Sequence, residues 1–167
     1  MQTYYITFVI GLTNVSLGCK DATMYVDGSA SGKDVSKLLD GTGVVKVNGS
    51  SAAGFGVSYS STAYIDIDLG TEYDLYSFAW ERTNAGNSVI GKTVWGSNDP
   101  NFTTYDVLGT TYDSIADGAF ASSFTHKIMT TMLSATKPYR YVRINKPSGA
   151  KRDFYPVKMD LYGFDIN

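Results

Sequence analysis

The segment Tyr64-Ile65-Asp66-Ile67-Asp68-Leu69-Gly70 alternates apolar and acidic side chains with a period of two. Only an extended backbone puts Ile65, Ile67 and Leu69 on one face and both aspartates on the other, so the stretch predicts a half-buried antiparallel strand. Carboxylates at alternate positions on the wet face of a strand read as solvated groups, and no metal or catalytic role is assigned to Asp66 and Asp68 on this ground. Further strands are predicted over 3–10, 23–26, 75–82, 89–96, 104–108, 127–133, 139–145 and 157–166. Turn chemistry separates them, as at Asp27-Gly28, Asp40-Gly41, Asn48-Gly49, Asn98-Asp99-Pro100 and Asp117-Gly118. Helical spacing is confined to Lys33–Leu39, where Val35, Leu38 and Leu39 fall on one side. The expected architecture is all-β, an antiparallel β-sandwich of the jelly-roll type with loops at its ends free to carry function. A chain of 167 residues suits one such domain, and 13 Tyr and 8 Phe beside 17 Gly fit strands joined by tight turns.

Several function classes drop out. One cysteine, Cys19, and one histidine, His126, allow neither an internal disulfide nor a Cys/His zinc cluster, and both read as ordinary structural residues. Charge is uneven: residues 1–136 carry 7 basic and 13 acidic side chains, residues 137–167 carry 7 and 3. The late cations, Lys137, Arg140, Arg143, Lys146, Lys151, Arg152 and Lys158, are expected to be a scattered, solvated set, and a sequence pI near 5.2 argues against general nucleic-acid binding. The apolar opening up to Ile10 has no Lys or Arg before it, so it does not read as a signal peptide, and no run is long enough to cross a membrane as a helix. The location expected is cytoplasmic, or extracellular at a particle surface if the chain belongs to an assembly. No Gly-x-Ser-x-Gly, His-Glu-x-x-His or phosphate-binding loop is present, and no pair of acids stands out across a cleft, so no enzyme activity is expected.

From Asp27 onward the order of motifs resembles the discoidin domain, the galactose-binding-like jelly roll of coagulation-factor C-terminal domains and many bacterial carbohydrate-binding modules. The matching pieces are Ser29-Ala30-Ser31-Gly32 with Leu38-Leu39-Asp40-Gly41, then Ile65-Asp66-Ile67-Asp68-Leu69-Gly70 and Trp80-Glu81-Arg82. They continue with Ser97-Asn98-Asp99-Pro100-Asn101-Phe102, Arg140-Tyr141-Val142-Arg143-Ile144 and the terminal Leu161-Tyr162-Gly163. The resemblance implies one domain over 1–167, with 1–26 as an N-terminal extension or added strands. It also implies a non-catalytic module or adhesin that binds cell-surface glycans through loops at one end of the sandwich.

Carried over by position, Arg82 and either Asn84 or Asn87 take the roles of hydroxyl-gripping Arg and Asn, and Phe154 or Tyr155 that of the stacking aromatic. Phe55 and Tyr59 lie where a second aromatic sits in relatives. A pyranose has C–H groups on one face and hydroxyls at its rim, so a flat ring plus convergent donors reads it. Arg82 has a structural alternative as a brace for Asp74 or Asp113, and Trp80 is expected in the core. The histidine frequent before the Asp-rich strand in relatives is missing, which removes the basis for galactose specificity. Relatives also hold a structural calcium; here Asp40 and Thr42 offer oxygens, but Lys158 stands where a Glu ligand is usual and is placed to pair with Asp40 instead. No cofactor is therefore expected, and a structural calcium is expected to be absent or weakly bound at Asp40 and Thr42. The alternative function is a structural or assembly protein, such as a virion decoration or fibre-associated subunit, with Tyr4–Ile10 pairing with a neighbouring subunit or a second copy of the chain.

Overall fold

The computed structural model describes residues 11–41, 46–47, 50–51, 57, 60–82, 91–111, 127–147 and 158–166, with positions 46–47, 50–51, 81–82 and 127–129 described by backbone alone. The strands in chain order are β1 (Leu12–Asn14), β2 (Asp21–Val26), β3 (Ser29–Ala30), β4 (Lys46–Val47), β5 (Ser50–Ser51), β6 (Ala63–Arg82), β7 (Thr93–Ser97), β8 (Asp106–Thr110), β9 (Lys127–Met132), β10 (Tyr139–Lys146) and β11 (Lys158–Asp165). One helical turn, α1 (Ser36–Leu39), lies between β3 and β4.

The alternating segment is the first half of β6, and its inward residues Ile65, Ile67 and Leu69 are buried as their spacing requires. The strand does not end at Gly70. Gly70 takes φ +87°, a left-handed conformation that costs glycine little, and the chain then runs on to Arg82. The two strands expected at 64–70 and 75–82 are thus one strand of twenty residues.

That continuity makes β6 a member of two layers. Its first half is flanked by β2 and β10, with Ile67 opposite Ala22 and Val142. Its second half is flanked by β11 and β9, with Trp80 opposite Met159 and Met129. One layer therefore runs β3-β2-β6-β10-β7-β8 and the other β1-β11-β6-β9. Between them lies a core that includes Met24, Ile65, Ile67, Phe78, Trp80, Val142, Ile144 and Leu161. Full burial of each large apolar side chain contributes about 1.5–3 kcal/mol. Trp80 is core, as expected, and stacks on Phe78 with ring centroids 5.5 Å apart.

Local signals explain the edges. Asp27 and Gly28 both adopt positive φ, 48° and 82°, which is the two-residue hairpin geometry whose twist suits β2 and β3. The short helical pattern becomes α1, which with Val35 sends Leu38 and Leu39 into the core against β11. Residues 12–14 and 21–26 add β1 and β2 to the margins of the two layers. The strand expected at 3–10 lies outside the described residues.

Gly96 in β7 is required by close packing. A Cβ there would lie 2.7–2.8 Å from the Tyr139 ring and 2.9 Å from Leu108 Cδ1. Gly96→Ala is expected to destabilise the fold by about 1–3 kcal/mol through overpacking, read as a lower urea midpoint at unchanged m-value.

Candidate functional site

The strand registers define two ends of the sandwich. At one end Lys146 faces Ala63, Tyr25 and Val26 face the start of β6, Thr93 faces Thr110, Glu81 faces Lys158 and Arg82 faces Lys127. The strand ends that flank positions 83–90 and 148–157 are therefore neighbours, β6 and β11. Arg82 is the last residue of β6 at this end. Asn84, Asn87, Phe154, Tyr155, Phe55 and Tyr59 lie outside the described residues, as do Thr42, Asp113 and His126. Asp74 and Arg82 stand eight residues apart along one strand, about 26 Å between their backbones, a separation longer than a guanidinium side chain spans. Asp74 instead stands opposite Phe164 at the far end.

Two buried lysines close the core at the loop end. Lys146 continues the inward positions of Val142 and Ile144, and its ammonium donates to the carbonyl of Ser61. Lys92 is fully buried, with its backbone N–H donating to Thr111 Oγ1 at 2.8 Å. Sequence reasoning placed Lys146 in solvent; the period-two pattern of β10 was the signal that it points inward.

Lys151 and Arg152 lie outside the described residues, and the remaining late cations are ion-paired rather than simply solvated. Arg143 binds Asp66 through Nε and one terminal nitrogen, at 2.5 and 2.8 Å, and Arg140 binds Asp68 in the same bidentate way, at 2.8 and 2.9 Å. Lys137 reaches Asp106 at 3.0 Å, and Lys158 reaches Asp160 at 3.3 Å. Asp66 and Asp68 are thus ion-paired, and the Asp68 side chain is only 17% exposed. The Arg143 guanidinium also lies over the rings of Tyr64, Phe102 and Trp95, at 4.0, 4.3 and 5.7 Å from their centroids, which fixes its plane.

Hydrogen bonding from Arg140 holds the Asp68 carboxyl down to about 2 against the opposing effect of burial, with help from the Gly70 N–H and the charges of Arg140 and Lys20. A lowered carboxylate contributes stability that is complete above its unfolded value of about 4 and fades as the pH falls toward 2. Asp68→Asn is expected to lower the melting temperature at neutral pH and to flatten its decline between pH 4 and 2, measured by thermal melts across that range.

The far end holds a groove of about 420 Å³ between the 97–105 segment and the residues before β10. Asp99 organises its wall: Oδ1 accepts the Asn101 N–H, and Oδ2 accepts the Thr103 N–H and hydroxyl. These bonds, led by the Thr103 hydroxyl, hold the Asp99 carboxyl below its usual range. Ser97 Oγ bonds the Thr104 carbonyl at 2.7 Å, and the Asn98 amide ties this segment to the Pro138 carbonyl and the Arg140 N–H. Lys137, then the Tyr139 hydroxyl, likewise lower the Asp106 carboxyl. Tyr105 is 46% exposed, and its ring stacks on Trp95 at 4.0 Å and 8°. Sequence reasoning missed this groove, because its residues read as one turn and one strand edge.

Among the described residues no group of three His, Cys, Asp or Glu side chains is arranged to hold a metal, and no helix is long and apolar enough to cross a membrane. Asp40 sits exposed just after α1. Burial, with the charges of Asp21 and Asp68, raises the pKa of the Cys19 thiol and so lowers its thiolate fraction.

No protein-family profile matches the sequence, and no curated protein matches it. Solved structures do match in fold. A chitosan-binding module from a Paenibacillus chitosanase/glucanase is 19% identical, with TM-score 0.57 over 90% of this chain and 98% of that one. A family 32 carbohydrate-binding module of Clostridium perfringens, solved in complex with GalNAc-β-1,3-galactose, is 14% identical, with TM-score 0.58 over 89% and 99%. A fucolectin from striped bass serum is 18% identical, with TM-score 0.59 over 91% of this chain and 49% of that one. The chain has the galactose-binding-like, discoidin-type fold of these modules and lectins.

Proposed function

We propose that the chain is a non-catalytic carbohydrate-binding domain that takes glycans at the loop end of its sandwich. The observation that carries this reading is the fold-level likeness, across nine-tenths of the chain, to modules and lectin domains solved with or named for carbohydrates. The strand registers add a physical argument. They set Arg82 at the end of β6 beside the start of β11, so the positions bearing Asn84, Asn87, Phe154 and Tyr155 follow or precede adjacent strand ends. In the proposed site the Arg82 guanidinium and an Asn amide donate to ring hydroxyls, and an aromatic from 154–155 stacks on the apolar sugar face, with Phe55 or Tyr59 as a second ring.

Binding without catalysis agrees with the chemistry of the described residues. Asp66 and Asp68 are each neutralised by an arginine, which suits neither a general acid nor a nucleophile. The structural relatives lend nothing to the assembly-protein reading.

A glycan array that includes bacterial surface polysaccharides tests the proposal, with folded Arg82→Ala protein alongside. Selective binding that the variant loses by tenfold or more is the expected result. Binding that the variant keeps moves the site elsewhere, and silence from folded wild-type protein overturns the function.

The same reading includes no calcium requirement. Lys158 brings an ammonium, paired with Asp160, to the strand position where relatives use a glutamate. Millimolar Ca²⁺ is expected to leave the melting temperature unchanged; a clear rise that a chelator reverses would require a cation site.

A further inference from the structure

We propose that the far-end groove beside Tyr105 is a second carbohydrate subsite, selective for neutral or amino pyranosides over acidic ones. This rests on the glycan-binding reading but concerns a different place: β10 alone spans eight residues from Tyr139 at the groove to Lys146 at the loop end, about 23 Å.

Three features argue for a saccharide. The first is a supported aromatic surface. Trp95 occupies one face of the Tyr105 ring, yet Tyr105 remains 46% exposed, and Val107, directly across from Trp95, is 56% exposed. Trp95 is itself fixed by its indole N–H, which donates to Thr93 Oγ1 at 2.9 Å. An exposed ring backed by a fixed ring offers a flat apolar surface at small entropic cost, as the C–H face of a pyranose requires.

The second feature is a rim with donors and acceptors to spare. Lys137 and Asp106 are 59% and 48% exposed. Lys137 Nζ and the Tyr139 hydroxyl both reach Asp106 at Oδ2, and a carboxylate offers about four acceptor sites. An ammonium has three protons, and one contact with Asp106 leaves others for a ligand hydroxyl. The wall behind them is fixed by Asp99 and Asn98 before any ligand arrives.

The third feature is size and sign. A volume of about 420 Å³ falls within the range of small-molecule sites, ~300–1,000 Å³. The groove is lined by two carboxylates, Asp99 and Asp106, and one ammonium, Lys137. Its net negative character disfavours uronic and sialic acids and tolerates amino sugars. With a second subsite at the far end, one long polysaccharide or two separate chains would engage the domain at both ends, adding avidity.

The test is an amide and indole NMR titration of the ¹⁵N-labelled full chain with three soluble probes: N-acetylglucosamine trimer, glucosamine trimer and galacturonic acid trimer. The expected result is saturable shifts at the Trp95 indole and the Ser97–Asp106 amides with one or both of the first two probes. The third probe should leave them unmoved. Tyr105→Ala should weaken these shifts by about tenfold, whereas Tyr105→Phe, which keeps the ring, should retain them. Shifts confined to amides near Ala63, Lys146 and Lys158 would overturn the second subsite and leave loop-end glycan binding standing. Shifts at Ser97–Asp106 that persist in folded Tyr105→Ala, or that the galacturonic acid trimer produces equally, would overturn the site as described. No shift anywhere with any probe would count against this subsite, and silence on the array as well would remove the function beneath it.

Discussion

Burial of the inward face of β6 is the constraint on which the sandwich depends. Ile65, Ile67 and Leu69 fill the core from the first layer, and Phe78 and Trp80 fill it from the second, on one unbroken strand. Four strands pair with β6 directly, and β1, β3, β7 and β8 attach through those four. Gly70 is the point where the strand passes between layers, and Asp68, which accepts the Gly70 N–H at 2.8 Å, ties that bend to Arg140 of β10. The same residues thus set the fold and fix where the two ends of the sandwich lie.

Charge follows the same plan. Part of the acidic excess before residue 137 and part of the basic excess after it lie on strands that meet, so β10 brings Arg140 and Arg143 onto Asp68 and Asp66 of β6. Bidentate geometry and partial burial make these pairs more specific than exposed ion pairs. Tyr64, Trp95 and Phe102 enclose the Arg143 guanidinium, so the outer surface of the first layer is an ordered lattice of rings and charges.

Much of this was legible in the residues. The alternation at 64–70, the Asp27-Gly28 turn, the short helix at Leu38–Leu39 and the strands β2, β7, β8, β9, β10 and β11 each follow from local pattern. The fusion of two predicted strands into β6 was not legible, because a glycine inside apolar runs signals a stop as readily as a bend. Nor were the ion pairs, which join residues more than seventy positions apart and are decided by register. Arg82 could be located at a strand end from sequence order, while the far-end groove escaped notice because Asn98, Asp99, Tyr105 and Lys137 meet only after β7, β8 and β10 are aligned.

Sharing one strand between both layers also governs how the molecule comes apart. Neither sheet can lose β6 without the other losing its central partner, so the layers lack separate melting units, and opening either one approaches the cost of global unfolding. Amides of β6 and its direct neighbours should exchange with solvent at one common slow rate, whereas β3 and β8 at the margins open on their own. Assembly carries the matching burden: the partners of β6 come from positions as distant as Asp21 and Asp165, so the chain must close long loops before its core rewards it, and folding is expected to be slow for a domain of this length.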